Sequence, residues 1–161
     1  MNKIKILIPV YNDWQSVFKL LENINVVTSK LDSEFSIIIV NDASSESSPK
    51  FFPNLNNLKS IQIINMKENR GHARCNAAGL KYISEKKEFD CVIPMDADGE
   101  DRPDELCLLI DKNKDFPNRA ITADRVKRSE GFIFRFFYFA HKYLTFLFTG
   151  QIIKFGNYTC L

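Results

Sequence analysis

The sequence lacks most of the features that announce a chemistry. Its four cysteines, Cys75, Cys91, Cys107 and Cys160, form no Cys-x-x-Cys pair and no metal-ligand spacing. That argues against a cysteine metal centre and leaves free, mostly buried thiols, as in a reducing, cytoplasmic compartment. Neither charge sign dominates: 22 Lys and Arg face 20 Asp and Glu, a net charge of +2, so no global field points to nucleic acid. There is no internal repeat. There is no Gly-x-Gly-x-x-Gly phosphate loop, because in "NRGHARCNAAG" Gly71 and Gly79 are spaced for a turn and for close helix packing. The apolar start, Ile4 to Val10, is too short for a signal peptide and ends in a turn. No apolar run approaches the ~20 residues that span a bilayer.

What is present is ordinary in amount and uneven in placement. With 161 residues, 45% hydrophobic and 26% charged, the chain can fold as one domain with a real core. Acids gather in "VIPMDADGEDRP", where Asp96, Asp98, Glu100, Asp101 and Asp104 follow an apolar run. Bases gather later, at Arg125, Lys127, Arg128, Arg135 and Lys142. So much negative charge at the end of a buried segment requires compensation.

Hydrophobic patterning predicts alternating strands and helices. "KIKILIPVYND" reads as a strand buried on both faces and ending in a turn. Asn12 or Asp13 can cap the next helix, whose apolar face is Val17, Leu20, Leu21, Ile24 and Val27. "FSIIIVNDASSESS", "IQIINM", "FDCVIPMDAD" and "RAITAD" read as further strands. "GHARCNAAGLKYISEK" and "RPDELCLLIDK" read as helices. This alternation predicts an α/β fold with a mostly parallel sheet flanked by helices. Ligands of such sheets bind outside the carboxyl ends of the strands, which here end in "YND", "NDASS" and "DADGED".

At those ends, Asp96 and Asp98 can face one cation if the chain turns. A hard ion such as Mg²⁺ takes one or two carboxylates and completes its shell with waters and substrate phosphates. The same acids can instead cap the turn and the next helix. Asp42 can accept a nucleobase N–H, or serve as a turn former with Ser44 and Ser45. Tyr11 can pack on a base or close the edge of the core, and Asp13 stands nearby. His72 and Arg74 read as solvent-facing helix residues.

The order and spacing of four segments, "IPVYND", "VNDASSES", "NRGHARCNAAGL" and "MDADGEDRPDEL", resemble the N-terminal catalytic domain of a family-2 glycosyltransferase. That family has a Rossmann-like GT-A fold. The chain is most similar to the branch of dolichyl-phosphate mannose synthase and bactoprenol glucosyltransferases. The resemblance implies that Asp42 and Asp13 contact the nucleotide, with Pro9 and Tyr11 lining its pocket. It implies that Asp96 and Asp98 hold Mg²⁺ or Mn²⁺ against the donor diphosphate. Glu100 stands where relatives often carry a third metal-contacting residue, usually Gln. "ADRVKR", with Arg125 and Arg128, resembles a phosphate-contacting segment, and Arg135 matches a second basic position; these bind donor or acceptor phosphate.

The implied function is metal-dependent, inverting transfer of a sugar from a nucleotide-diphosphate donor, with Asp96, Asp98 and Arg125 catalytic. Polyprenyl phosphate is the first acceptor to consider. A glycan or polysaccharide hydroxyl is the alternative, and a truncated, non-catalytic binding domain is a third reading. Residues 1–130 would form the nucleotide-sugar-binding domain. Residues 131–161 would form an aromatic segment, truncated relative to a family whose members typically continue further. "GFIFRFFYFAHKYLTFLFTG" is interrupted by Arg135, His141 and Lys142. It reads as a core helix or as a helix in the membrane interface, and the resemblance favours the interface. The expected partners are therefore the donor, the lipid acceptor and the cytoplasmic membrane surface, with a homo-oligomer also compatible and no nucleic acid.

Overall fold

The computed structural model describes residues 2–52, 55–86, 88–117, 119–123, 132–150 and 158–161. They fall into two compact units, one of residues 1–121 with 158–161 and one of residues 122–157.

The first unit is built on a four-stranded sheet. β1 (Asn2–Val10), β2 (Ser33–Asn41), β3 (Ser60–Asn65) and β4 (Cys91–Pro94) lie in the order β3-β2-β1-β4. All three pairings are parallel, with Ile6 opposite both Ile37 and Ile93. Helices cover both faces, which is why β1 and β2 read as continuous apolar runs. α1 (Trp14–Thr28) buries Trp14, Val17, Leu21, Ile24 and Thr28, a stripe at helical spacing. On the other side α2 (His72–Lys86) packs Cys75 and Ile83 onto Leu7, Ile38, Val40 and Val92. Each such Leu or Ile contributes roughly 1.5–3 kcal/mol by leaving water. Gly79 lets α2 approach closely, since a Cβ there would lie 2.3 Å from Leu7 Cδ1. β3 is an edge strand and none of its residues is fully buried.

After β4 the acidic turn leads into a short 3-10 turn (Pro103–Glu105) and α3 (Leu106–Asp115). The proline sits at the start because its missing N–H would be unpaired there anyway. β5 (Ile121–Thr122) and β6 (Thr159–Cys160) form a small second sheet. Beside it Val92 and Leu161 exchange backbone hydrogen bonds of 2.9 and 2.8 Å. Tyr158 is buried and donates its hydroxyl to the Arg102 carbonyl at 3.2 Å.

The second unit contains α4 (Phe132–Thr149). Phe137, Phe139, Tyr143, Leu144, Phe146, Leu147 and Phe148 are exposed on it. No helix among the described residues is long and apolar enough to cross a membrane.

Candidate functional site

The strand order places a site by itself. From β1 the chain moves outward to β2 and β3, then returns across the sheet so that β4 lies on the other side of β1. The carboxyl ends of β1 and β4 therefore flank the topological switch point, where open α/β sheets leave a crevice. A cleft of about 220 Å³ lies there, lined by Pro9, Val10, Tyr11, Asp13, His72, Asp96, Ala97 and Asp98. A smaller one of about 100 Å³, bounded by Pro9, Val10, Tyr11 and His72 as well, has Asp42 and Cys75 in its wall.

The loops that carry these residues are tied together by their own polar side chains. Asn12 adopts a left-handed backbone, φ 52°. Its Oδ1 accepts the Ser45 and Glu46 N–H groups at 2.8 and 3.2 Å, and its N–H donates to Ser44 Oγ at 2.9 Å. The Asn41 amide donates to Asn65 Oδ1 at 2.9 Å and accepts the Ser44 N–H at 3.0 Å. The ends of β1, β2 and β3 are thus joined into one rim. Asp13, rather than Asn12, caps α1 by accepting the Ser16 N–H at 3.2 Å. Tyr11 is 53% exposed, so its ring stands at the cleft mouth and not against the core.

Asp42 is buried, and both its oxygens are engaged: Arg70 N–H donates to Oδ1 at 2.9 Å and Gly71 N–H to Oδ2 at 2.8 Å. The carboxylate therefore holds the turn that opens α2. A carboxylate has about four lone-pair sites, so capacity for a ligand N–H remains. Behind it, burial and then the nearby Asp42 carboxylate push the Cys75 thiol up to about 11, so it stays a neutral thiol.

The acidic turn is organised from beneath. Asp101 is only 4% exposed, and its Oδ2 accepts the Asp96 N–H at 2.9 Å. Gly99 has φ 85°, which closes the turn, and Asp98 Oδ1 accepts the Glu100 N–H at 2.9 Å. Asp96 and Asp98 both line the cleft, whereas the exposed Glu100 is not among the residues lining it. Compensating charge comes from Arg102, which pairs with Asp104 and Glu105. His72 Nε2 lies 3.6 Å from Asp96 Oδ1. Asp98 also borders a larger cleft of about 390 Å³ on the α1 side, with Ser16, Lys19, Asn23 and Arg102.

Among the described residues no three His, Cys, Asp or Glu side chains converge as a metal cage. Asp96 and Asp98 are nevertheless a suitable donor set for Mg²⁺ or Mn²⁺, which use one or two carboxylates and leave their other positions to water and phosphate. Both line the same cleft. Arg125 and Arg128 lie outside the described residues, as does the side chain of Arg135.

Three residues have roles at the site that their sequence signals did not assign. Asn12 and Asp101 shape the two loops, and His72 lines both clefts. The signal for His72 was positional. A helix entered from the carboxyl end of a strand begins at the ligand edge of the sheet, and His72 is the first residue of α2.

Comparison with known proteins agrees with this geometry. The chain is 31% identical over 110 residues to the undecaprenyl-phosphate 4-deoxy-4-formamido-L-arabinose transferase of Proteus mirabilis (strain HI4320), covering 68% of the chain and 33% of that protein. It thus spans about a third of that relative's length. The crystal structure of S. aureus TarS residues 1-349 superposes with a TM-score of 0.58 at 16% identity, covering 80% of this chain and 38% of that one. The same TarS fragment in complex with UDP-GlcNAc gives 0.57 at 17% identity, covering 80% and 37%. The GT-A fold expected from the sequence is therefore present. The glycosyl transferase family 2 model matches residues 5–160, nearly the whole chain, and the chain belongs to that family.

Proposed function

We propose that this chain carries the donor-binding site of a metal-dependent, inverting glycosyltransferase that moves a sugar from a nucleotide-diphosphate donor to polyprenyl phosphate. The observation that carries this reading is the convergence at the switch point of Tyr11, Asp13 and Asp42 with the Asp96 and Asp98 carboxylates. Tyr11 packs on the base, Asp42 accepts a base N–H, and Asp13 takes part beside them. The two acids at the far end hold the divalent ion against the diphosphate. When bound, that ion offsets the charge that builds on the departing nucleoside diphosphate.

Polyprenyl phosphate suits this site because its phosphate is already anionic. It can attack the sugar carbon from the face opposite the diphosphate without a strong general base to remove a proton. Support for the acceptor comes from the undecaprenyl-phosphate relative. Support for the donor class comes from the UDP-GlcNAc complex of the TarS fragment. Arg125, Arg128 and Arg135 are proposed to bind donor or acceptor phosphate. The exposed aromatics of α4 support a position at the cytoplasmic face of the membrane.

The test is a panel of nucleotide sugars scored by thermal shift with Mn²⁺, followed by turnover of the best donor with undecaprenyl phosphate or a soluble glycan. Mn²⁺-dependent stabilisation and transfer to the lipid phosphate are expected. Transfer to the glycan alone would replace the acceptor. Donor binding without transfer to either would leave a binding domain.

A further inference from the structure

We propose that His72 contacts the diphosphate of the donor through its imidazole, with Asn76 holding the ring in place. The proposal rests on the reading of the cleft as a nucleotide-sugar site and assigns a residue within it.

Position comes first. His72 borders both adjoining clefts, the one containing Asp42 and the one containing Asp96 and Asp98. It therefore stands between the end assigned to the base and the end assigned to the metal. The diphosphate, which joins those two parts of the donor, has to pass this point.

The ring's own contacts are the second observation. Nε2 lies 3.0 Å from Asn76 Nδ2 and 3.6 Å from Asp96 Oδ1. Either end of the Asn76 amide can bond Nε2, so the contact holds the ring whichever ring nitrogen carries the proton. Asn76 is one helical turn along α2, so the pair is held by the helix itself. The side chain is 60% exposed, within reach of a ligand.

The third observation is the shortage of donors. The titratable groups around the two clefts are mainly acids: Asp13, Asp42, Asp96 and Asp98. An anionic diphosphate laid among them needs N–H or O–H groups facing it. Of the described side chains lining these clefts, His72 alone offers a nitrogen donor.

The experiment is isothermal titration of wild type, His72→Ala, His72→Gln and Asn76→Ala at fixed Mn²⁺. The ligands are uridine, UMP and UDP, with the guanosine series run in parallel. His72→Ala should weaken the diphosphate roughly tenfold, the order for a hydrogen bond to a charged group. It should leave the nucleoside unchanged and leave the melting temperature at the wild-type value. His72→Gln should recover part of the loss. Asn76→Ala should reproduce part of it, and the double variant should lose less than the sum of the two. Equal losses for nucleoside and diphosphate, or no loss, would overturn the assignment while leaving the nucleotide site in place. A wild-type chain that binds neither series would remove the nucleotide reading and this assignment with it.

Discussion

Asp101 Oδ2 accepts the backbone N–H of Asp96 at 2.9 Å from a side chain that is almost wholly buried. One acid of the cluster thus serves as the floor on which the Asp-x-Asp pair stands. Removing it leaves the Asp96 N–H without this acceptor, which costs roughly 1–3 kcal/mol. Asp101→Ala should therefore lower the unfolding free energy, measured by denaturant titration, by that amount. It should also weaken Mn²⁺-dependent UDP binding, although Asp101 is not assigned a ligand contact. Asp101→Asn, which keeps an acceptor oxygen, should lose less on both readings. Full binding in Asp101→Ala would show that the turn holds without it.

Asp98 behaves differently because it is exposed and supports little of the fold. Asp98→Asn should stay within about 0.5 kcal/mol of wild type in stability, as surface substitutions usually do. Calorimetry with UDP and Mn²⁺ should nevertheless show affinity reduced to the metal-free level. Unchanged affinity would end the metal assignment of Asp96 and Asp98.

Asp42 combines the two cases. It secures the Arg70 and Gly71 N–H groups, and it borders the smaller cleft. Asp42→Ala should lower stability by roughly 1–3 kcal/mol, the cost of orphaned polar groups, and weaken nucleotide binding by a similar amount. Asp42→Asn retains one acceptor oxygen and should recover part of the stability. A stability loss with native nucleotide affinity would leave Asp42 as the anchor of the α2 turn and nothing more.

Much of this was readable beforehand. The apolar runs of β1 and β2 and the stripe of α1 gave the alternation, because burial on two faces or on one leaves different periods. Gly71 and Gly79 were placed correctly, at a φ of 82° and at the closest approach to Leu7. Polar strand ends gave the edge of the site. What the one-dimensional pattern could not give was lateral order. Only the placement of β4 beside β1 brings Asp96 near Tyr11 and His72, residues far apart in the chain. Likewise the acidic segment does not reveal which of its members turns inward. Asp101 does, while Glu100 stays exposed. Asn12 was legible only as a cap, since its left-handed φ depends on the Ser44 to Glu46 loop that it bonds.

Cys75 gives a pH prediction with a definite sign. Its thiol is raised from 9.0 to about 11, by burial first and the Asp42 carboxylate second. The folded state therefore binds this proton more tightly than the unfolded state. The contribution to stability is complete below pH 9 and is lost as pH rises towards 11. Denaturant midpoints measured from pH 8 to 11 should fall, and the fall should be shallower in Cys75→Ala. At pH 8 iodoacetamide should modify the less buried Cys107 well before Cys75, as mass spectrometry of the folded chain would show. Rapid labelling of Cys75 would contradict its neutral, buried state.

The aromatic helix supplies the last prediction. The sequence places Phe132, Phe136, Phe139, Tyr143, Phe146 and Leu147 near one face of α4. Of these the structure shows Phe139, Tyr143, Phe146 and Leu147 exposed; Phe137, Leu144 and Phe148 are exposed too, and at 3.6 residues per turn they form a second stripe. A helix with this much exposed apolar surface is poorly suited to water, and Arg135, His141 and Lys142 supply positive charge along the same segment. Each base near an anionic surface contributes about 1 kcal/mol, a share that salt screens. The aromatic side chains add an apolar share that salt leaves intact. The chain should therefore sediment with phosphatidylglycerol vesicles, less strongly at high salt but still measurably. Phe139, Tyr143 and Phe146 all changed to Ser should abolish the salt-resistant part and leave the melting temperature of the first unit unchanged. A wild-type chain that remains in the supernatant at low salt would show that α4 meets protein rather than lipid, and would remove the membrane argument for a lipid-phosphate acceptor.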